Sequence, residues 1–445
     1  MCVAENPRPV TLFDCLAIIF SRLRVENRDM QVQIDIPGED AQGRVFLGWT
    51  PVQASARLLQ GPGAGSVDVE ISSAGAVGGL VFDTARTHNG GSRLTLGLPG
   101  DGRPVTFFVA GEFLKPSSRY GDAAIAVKDK ASGAPLASKP VMVRIRKNAV
   151  TLSQEERDDF LAALGTLNAR GQGPYRIVRD MHDADSDLEI HRNEGFLPWH
   201  RAYVLGLERA LQAINPVVTL PYWQFDAPAP VLFTIDYMGR SDESGHVVFR
   251  PGHSLEHWVA KDTPGIVRVP RFASDAPALV ISEDDTIRLG GATADFALFR
   301  QMEGGPHGQA HNSFAAPSPL RYPALAVYDP LFFLLHCNVD RLWTKWQWIK
   351  HRTDSSDRLA YSDGTRAGTK RGDTMWPWNG IHGNPRPPTA PGGPFPPTST
   401  TPAPGRTPRV SDMLDAMALK APDPLGFAYD DVPFQLPPTV VAGHA

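Results

Sequence analysis

From about Met30 to Ala149, apolar and polar side chains alternate in short runs: MQVQIDI (30–36), SVDVEIS (66–72), LTLGL (94–98), VTFFVA (105–110), AAIAVK (123–128) and VMVRIRK (141–147). A period of two places one face of each run in a core, and the Gly-Pro, Gly-Gly and Asp-Gly pairs between runs are turn formers. At least six strands at this spacing predict an antiparallel β-sandwich or barrel. After Thr151 the period lengthens. Ser153 and Glu156 form an S-x-x-E capping box ahead of DDFLAALGTLNARG, which predicts a helix closed by glycine. Further helices are predicted over 174–182, 199–214, 294–302, 306–314 and 330–350. Between Pro385 and Pro408, ten of 24 residues are proline. Proline fits neither a helix interior nor a central strand, so this stretch is predicted to be an extended surface strap. The chain therefore reads as multidomain α and β. Residues 1–150 form a β-rich domain, 151–384 a mainly α-helical domain, 385–408 the strap, and 409–445 a segment that closes the helical domain.

Composition narrows the function classes. The 445 residues carry 44 basic and 48 acidic side chains, and a net charge of −4 supplies no basic field for nucleic acid. No run approaches eighteen consecutive apolar residues, so no membrane-spanning helix is expected. The apolar run Val10–Phe20 lacks a basic flank and is broken by Asp14. It reads as a short packed helix rather than a secretion signal. Three cysteines, Cys2, Cys15 and Cys337, form no disulfide pattern and suit a reducing compartment. The expected location is cytoplasmic, with export alongside a partner protein left open, as is assembly into a homo-oligomer.

The histidines carry the chemical information. Ten of thirteen lie between residues 182 and 351. His182, His191 and His200 are nine residues apart. His307 and His311 stand at i and i+4 in EGGPHGQAHNSF, and His336 lies in DPLFFLLHCNVDRLWTKWQ. Four helices packed as a bundle can aim such side chains at one centre. A lone histidine is usually satisfied by an ordinary hydrogen bond, but six in two triplets are explained more economically by metal. The pair His253 and His257 has the same i,i+4 spacing with no third ligand nearby, and reads as structural or surface. Imidazole ligands suit copper, zinc, iron and nickel. Three around one ion also describe a catalytic zinc, whereas two converging triplets favour a metal pair.

Several segments resemble the type 3 copper proteins, the family of tyrosinases, catechol oxidases and hemocyanins. HRNEGFLPWHRAYVLGLERAL is similar to the family's first copper motif, and LPYWQF (220–225) to the element that follows it. DPLFFLLHCNVDRLWTKWQ resembles the second copper motif, and GFAYDD the tyrosine-containing end of the catalytic domain. The resemblance covers about residues 151–435. It implies that His182, His191 and His200 hold one copper ion and that His307, His311 and His336 hold the other, in a domain built on a four-helix bundle. Departures are visible. Glu189 stands where many relatives have a cysteine linked to histidine. Leu335 replaces a common non-ligand histidine, and Gln224 a common aspartate. Gly308 occupies a position where many phenol-hydroxylating members have asparagine. Residues 1–150 have no counterpart in the family's core.

The resemblance implies oxidation of phenols and catechols to o-quinones with dioxygen. A phenol must also lose a proton bound with a pKa of about 10. Glu303, four residues before His307, is the candidate to position a water as base, and a solvated helix-end glutamate is the alternative. With glycine at 308, diphenolase activity is expected to exceed monophenol hydroxylation. Asp329 and Asp340 flank the helix of His336 as candidate caps or orienting groups. Phe332 would share the face of His336, and Trp199 and Tyr203 are read as core. A hemocyanin-like oxygen carrier and a zinc hydrolase are the competing functions. Only about fifteen residues follow FAYD, so no covering C-terminal domain is expected and the copper-loaded chain should be active without proteolysis.

Overall fold

In the computed structural model, which describes residues 30–398, 401–419 and 425–436, the alternating runs become strands in two sheets. These are β1 (Val32–Asp35), β2 (Phe46–Leu47), β3 (Val52–Leu58), β4 (Ser66–Gly75), β5 (Leu80–Asp83), β6 (Arg93–Pro99), β7 (Val105–Gly111), β8 (Ala123–Asp129) and β9 (Pro135–Val143). One sheet has the order β1-β3-β7-β5 and the other β2-β9-β8-β4-β6. Alternation puts Ile71 opposite Val127 in the second sheet and Ala54 opposite Phe107 in the first, and all four side chains are buried. A common core joins the sheets, so the result is a sandwich. The pairing is antiparallel throughout except between β2 and β9, which run parallel. Five of the six alternating runs lie in strands over most of their length, whereas of VMVRIRK only Val141–Val143 does, at the end of β9, and 144–147 leave the sheet. The alternation did not reveal β3, whose VQASARL is diluted by alanine and serine, nor the short β2 and β5.

The helical half contains α1 (Gln154–Asn168), α2 (Tyr175–Asp180), α3 (Asp187–Ile190), α4 (Phe196–Ile214), α5 (Glu283–Arg288), α6 (Phe296–Phe299), α7 (Gln309–Asn312) and α8 (Leu331–Ile349). The capping box is formed: Glu156 N–H donates to Ser153 Oγ, and Ser153 N–H donates to Glu156 Oε2. Helices α4 and α8 pack on each other along mostly buried faces, and α1 packs on α4. The helices predicted over 294–302 and 306–314 form one segmented run instead. A 3-10 turn (Arg300–Glu303) and a π turn (Gly304–Gly308) separate α6 from α7. Pro306 lacks an amide hydrogen and Gly305 is extended (φ −148°, ψ 120°), which interrupts the hydrogen-bond ladder.

The two halves join through backbone and side chains. Arg146 and Asn148 bridge to Tyr429 and Tyr222, beyond the end of β9, and Trp49 Nε1 donates to the Tyr429 carbonyl at 2.8 Å. Within its described residues the proline-rich stretch has neither helix nor strand. Phe395 anchors it, buried against Trp378 and beneath the Arg209 guanidinium of α4. Among the described residues no helix is long and apolar enough to cross a membrane. The run Val10–Phe20, Cys2, Cys15 and the end of the C-terminal tail lie outside the described residues.

Candidate metal centre

Each histidine triplet converges. His182 follows α2, His191 ends α3, and His200 lies in the first turns of α4; one ring nitrogen from each lies within 4.8 Å of the other two. His307 in the π turn, His311 on α7 and His336 on α8 meet the same limit. The triplets are adjacent, because the rings of His200 and His336 stack at 4.8 Å. His253 and His257 belong to neither cluster. His253 is buried and stacks on Phe249 at 4.6 Å, and His257 is exposed.

Backbone carbonyls set the tautomers. Nδ1 of His200 bonds Phe196 O at 2.8 Å, Nδ1 of His307 bonds Glu303 O at 2.7 Å, and Nδ1 of His336 bonds Phe332 O at 3.0 Å. His311 Nδ1 bonds the carbonyl of Leu320. A carbonyl only accepts, so each Nδ1 carries the proton and each Nε2 of a neutral ring presents a bare lone pair. His307 Nε2 and His336 Nε2 then face each other at 3.1 Å. Two lone pairs at that distance repel unless a cation lies between or beside them. His200 Nε2 and both nitrogens of His182 are buried without a hydrogen-bond partner. Buried polar atoms are ordinarily satisfied. His253 Nε2 is orphaned too but stands in neither triplet, whereas the orphaned nitrogens of His182 and His200 lie where imidazoles converge, which points to metal. Burial, reinforced by neighbouring histidines, drives His182, His200, His307 and His336 well below the ordinary imidazole pKa, and His311 to about 4. Those five rings are therefore neutral donors at physiological pH. The donor set fits a pair of ions that take imidazole.

The surroundings hold the rings rigidly. Phe332 stacks on His336 at 3.9 Å and meets His182 edge-on at 4.8 Å. Trp199 and Tyr203 are buried, and their polar atoms bond the carbonyls of Trp376 and Val178. Asp329 caps α8 through Leu331 N–H and pairs with Arg268, and Asp340 pairs with Arg146 and Arg201; neither carboxylate touches an imidazole. Gln224 accepts a hydrogen bond from Asn148. Burial lifts the Glu189 carboxyl to about 7, against the pull of Arg386 at 3.3 Å.

A cavity of about 440 Å³ reaches the centre, lined by His182, His191, His307 and His311. Glu303 and Gly308, both singled out in the sequence, also line it. Glu303 Oε1 accepts the Arg192 amide at 2.6 Å, and burial raises its carboxyl above the ordinary value. Arg192 adopts φ +56°, a left-handed conformation uncommon for a side-chain-bearing residue, and that turn aims its amide at Glu303. Gly308 is helical (φ −60°), so its backbone conformation does not itself require glycine. The sequence reading missed other wall residues: Asp187, whose Oδ1 lies 3.1 Å from His191 Nδ1, and Arg192, Arg300, Asn312 and Arg321. Arg192 directly follows a ligand and could have been found. Arg321 sits in a 3-10 turn ten residues after His311, and no periodicity points to it.

Residues 172–349 match the family model of the common central domain of tyrosinase. A tyrosinase from Streptomyces antibioticus is 31% identical over 260 residues, which span 53% of this chain and 93% of that protein. Grixazone synthase from Streptomyces griseus subsp. griseus is 29% identical over 264 residues, covering 46% and 85% respectively. Among solved structures, a functional unit of octopus hemocyanin aligns with a TM-score of 0.43 at 20% identity, covering 65% of this chain and 69% of that one.

Proposed function

The chain belongs to the tyrosinase family of type 3 copper proteins, and from that premise we propose that it oxidises phenols and catechols to o-quinones with dioxygen. His182, His191 and His200 would hold one copper ion, and His307, His311 and His336 the second. The same reading takes α2, α4, the run over 296–312 and α8 as the four walls of a histidine-bearing bundle. When bound, copper supplies the dioxygen site and accepts the two electrons that a catechol gives up.

The observation that carries the reading is the cavity lined by ligands from both triplets. An oxygen carrier needs no opening of about 440 Å³ beside its imidazoles, whereas a phenol oxidase must admit an aromatic ring there. Pro323 and Ala326 give that cavity an apolar wall for the ring. Glu303 would hold a water that removes the phenol proton. Burial makes its carboxylate a stronger base than an exposed glutamate, and the Arg192 amide fixes its orientation. Gly308 offers no side chain to hold that water from the other side, which supports a preference for o-diphenols. A zinc hydrolase is less well supported, because a hydrolase has no need of two all-histidine triplets.

Copper analysis and oxygen uptake with 4-methylcatechol test the reading. Two coppers per chain and steady uptake are expected. Two coppers with reversible oxygen binding and no turnover would make the protein a carrier, and zinc without oxygen chemistry would overturn both.

A further inference from the structure

The charged groups along the cavity wall are unevenly compensated. Arg192 pairs with Asp187, and Arg300 lies 3.5 Å from Glu194. Arg321 is different. Among the described residues no carboxylate stands within ion-pair distance of it, and its side chain makes one hydrogen bond, from Nη1 to the carbonyl of Phe314 at 3.3 Å. A carbonyl does not neutralise a guanidinium, and the remaining donors of the fork stay available.

The position of Arg321 is fixed by the metal centre itself. It ends the 3-10 turn Pro319–Arg321, whose Leu320 carbonyl accepts from His311 Nδ1. Its amide bonds Ser318 O at 3.2 Å. The residue is half-buried rather than solvated at the end of a loop. The cavity thus has imidazoles at one end, Pro323 and Ala326 along a wall, and an uncompensated guanidinium beside that wall. A neutral phenol would leave this charge unmatched.

We propose that Arg321 selects phenolic substrates bearing a carboxylate, which its guanidinium binds while the phenolic oxygens face the histidines. The proposal rests on the phenol-oxidase reading of the site. Arg321 acts as a specificity residue. Arg192 and Arg300 are already committed to carboxylates of the protein, so they contribute background field rather than a binding fork.

The test compares 3,4-dihydroxyphenylacetate with its methyl ester on the copper-loaded full chain, because the two share one reacting ring. Replacing Arg321→Gln should lower the acid-to-ester ratio of kcat/KM about ten-fold, the size expected for a lost charge-assisted hydrogen bond. Arg321→Lys should restore part of it. The parent ratio should fall as salt rises, since the site is partly open to solvent. A second measurement is independent of turnover: titration calorimetry of phenylacetate into metal-free protein, with affinity expected to drop about ten-fold in Arg321→Gln. An acid-to-ester ratio unchanged by Arg321→Gln, or phenylacetate binding equal in both proteins, overturns the proposal. If the parent oxidises neither compound, the oxidase reading fails, and the calorimetry still decides whether Arg321 binds carboxylates.

Discussion

At the scale of single residues, convergence sets the centre's histidines apart, since His253 Nε2 is also buried without a partner yet belongs to neither triplet. His336 has Nδ1 bonded to Phe332 O and Nε2 facing His307, so its removal takes a ligand and leaves His307 Nε2 without its neighbour. His336→Ala should lower bound copper from two ions toward one and abolish oxygen binding. His253 accepts a bond from Leu255 N–H at 3.1 Å and stacks on Phe249, with no metal nearby. His253→Ala should therefore keep both coppers while losing some stability. Elemental analysis of the two variants decides, and the reverse pattern would show the ligand set to be wrong. Gly308 allows a finer test. A Cβ added there would lie 3.2 Å from the Glu303 carbonyl, so an asparagine fits only if that carbonyl yields slightly. An amide that fits could hold the water beside Glu303. Gly308→Asn should raise the ratio of monophenol to diphenol initial rates by about ten-fold, a modest share of what general-base assistance provides. An unchanged ratio with lowered stability would mean that glycine serves only the local packing against Glu303.

At the scale of elements, the histidines are held in place by a buried ionic cluster between α4 and α8. Asp340, one turn after His336, pairs with Arg201, which directly follows His200, and with Arg146 at 3.1 Å. Tyr429 adds its hydroxyl to Asp340 at 2.7 Å, and Glu208 takes the other side of Arg146 at 2.7 Å. All four charged side chains are essentially inaccessible to water. Removing one partner leaves an opposite charge stranded at low dielectric, a loss of about 3–5 kcal/mol. Asp340→Ala should lower the stability of the metal-free chain by that amount in urea titration and weaken copper retention, although Asp340 touches no imidazole. A loss below 1 kcal/mol, as for an exposed pair, would show the cluster to be solvated. Little of this cluster was legible beforehand. Local signals were legible: the Ser153 capping box and the alternation of β4 and β8 act within a few residues, and the histidines stand out by residue type and motif although members of one triplet lie up to 29 residues apart. The segmented run over 296–312 was hidden because its apolar spacing is helical while Gly305 and Pro306 break the ladder. Arg146 read as the polar end of a strand, since its partners lie 62, 194 and 283 residues away. Arg321 was hidden for another reason: it ends a 3-10 turn ten residues after His311, and no periodicity points to it.

For the whole molecule, the question is whether the β-sandwich is detachable from the helical half. Among the described residues there are two hydrophobic cores, one among residues 32–145 with Phe434 and one among residues 149–432. Separate cores alone would suggest independent units. The seam argues otherwise. Arg146, on the stretch that leaves the sandwich, is fully buried in the ionic cluster of the helical half, with its guanidinium 3.9 Å from the Phe427 ring centroid. Arg144 donates to Pro216 O, Trp49 to Tyr429 O and Thr50 to Met417 O, so the sandwich also holds the C-terminal segment in place. A chain begun at Thr151 would remove Arg146 and leave Glu208 with the Leu220 amide as its remaining partner. It would also expose the faces beneath Tyr429 and Met417. Such a truncation should fail to bind two coppers and should unfold at markedly lower urea than the full chain. Arg146→Ala in the full chain should reproduce about 3–5 kcal/mol of that loss, because the buried carboxylates lose the same partner while the sandwich stays attached. Far-ultraviolet circular dichroism and copper content of the three proteins separate the cases. If the truncated chain folds and holds both ions, the sandwich is an accessory module and Arg146 is dispensable. If it fails while Arg146→Ala is unaffected, the sandwich supports the helical half through Trp49 and Thr50 instead of through charge.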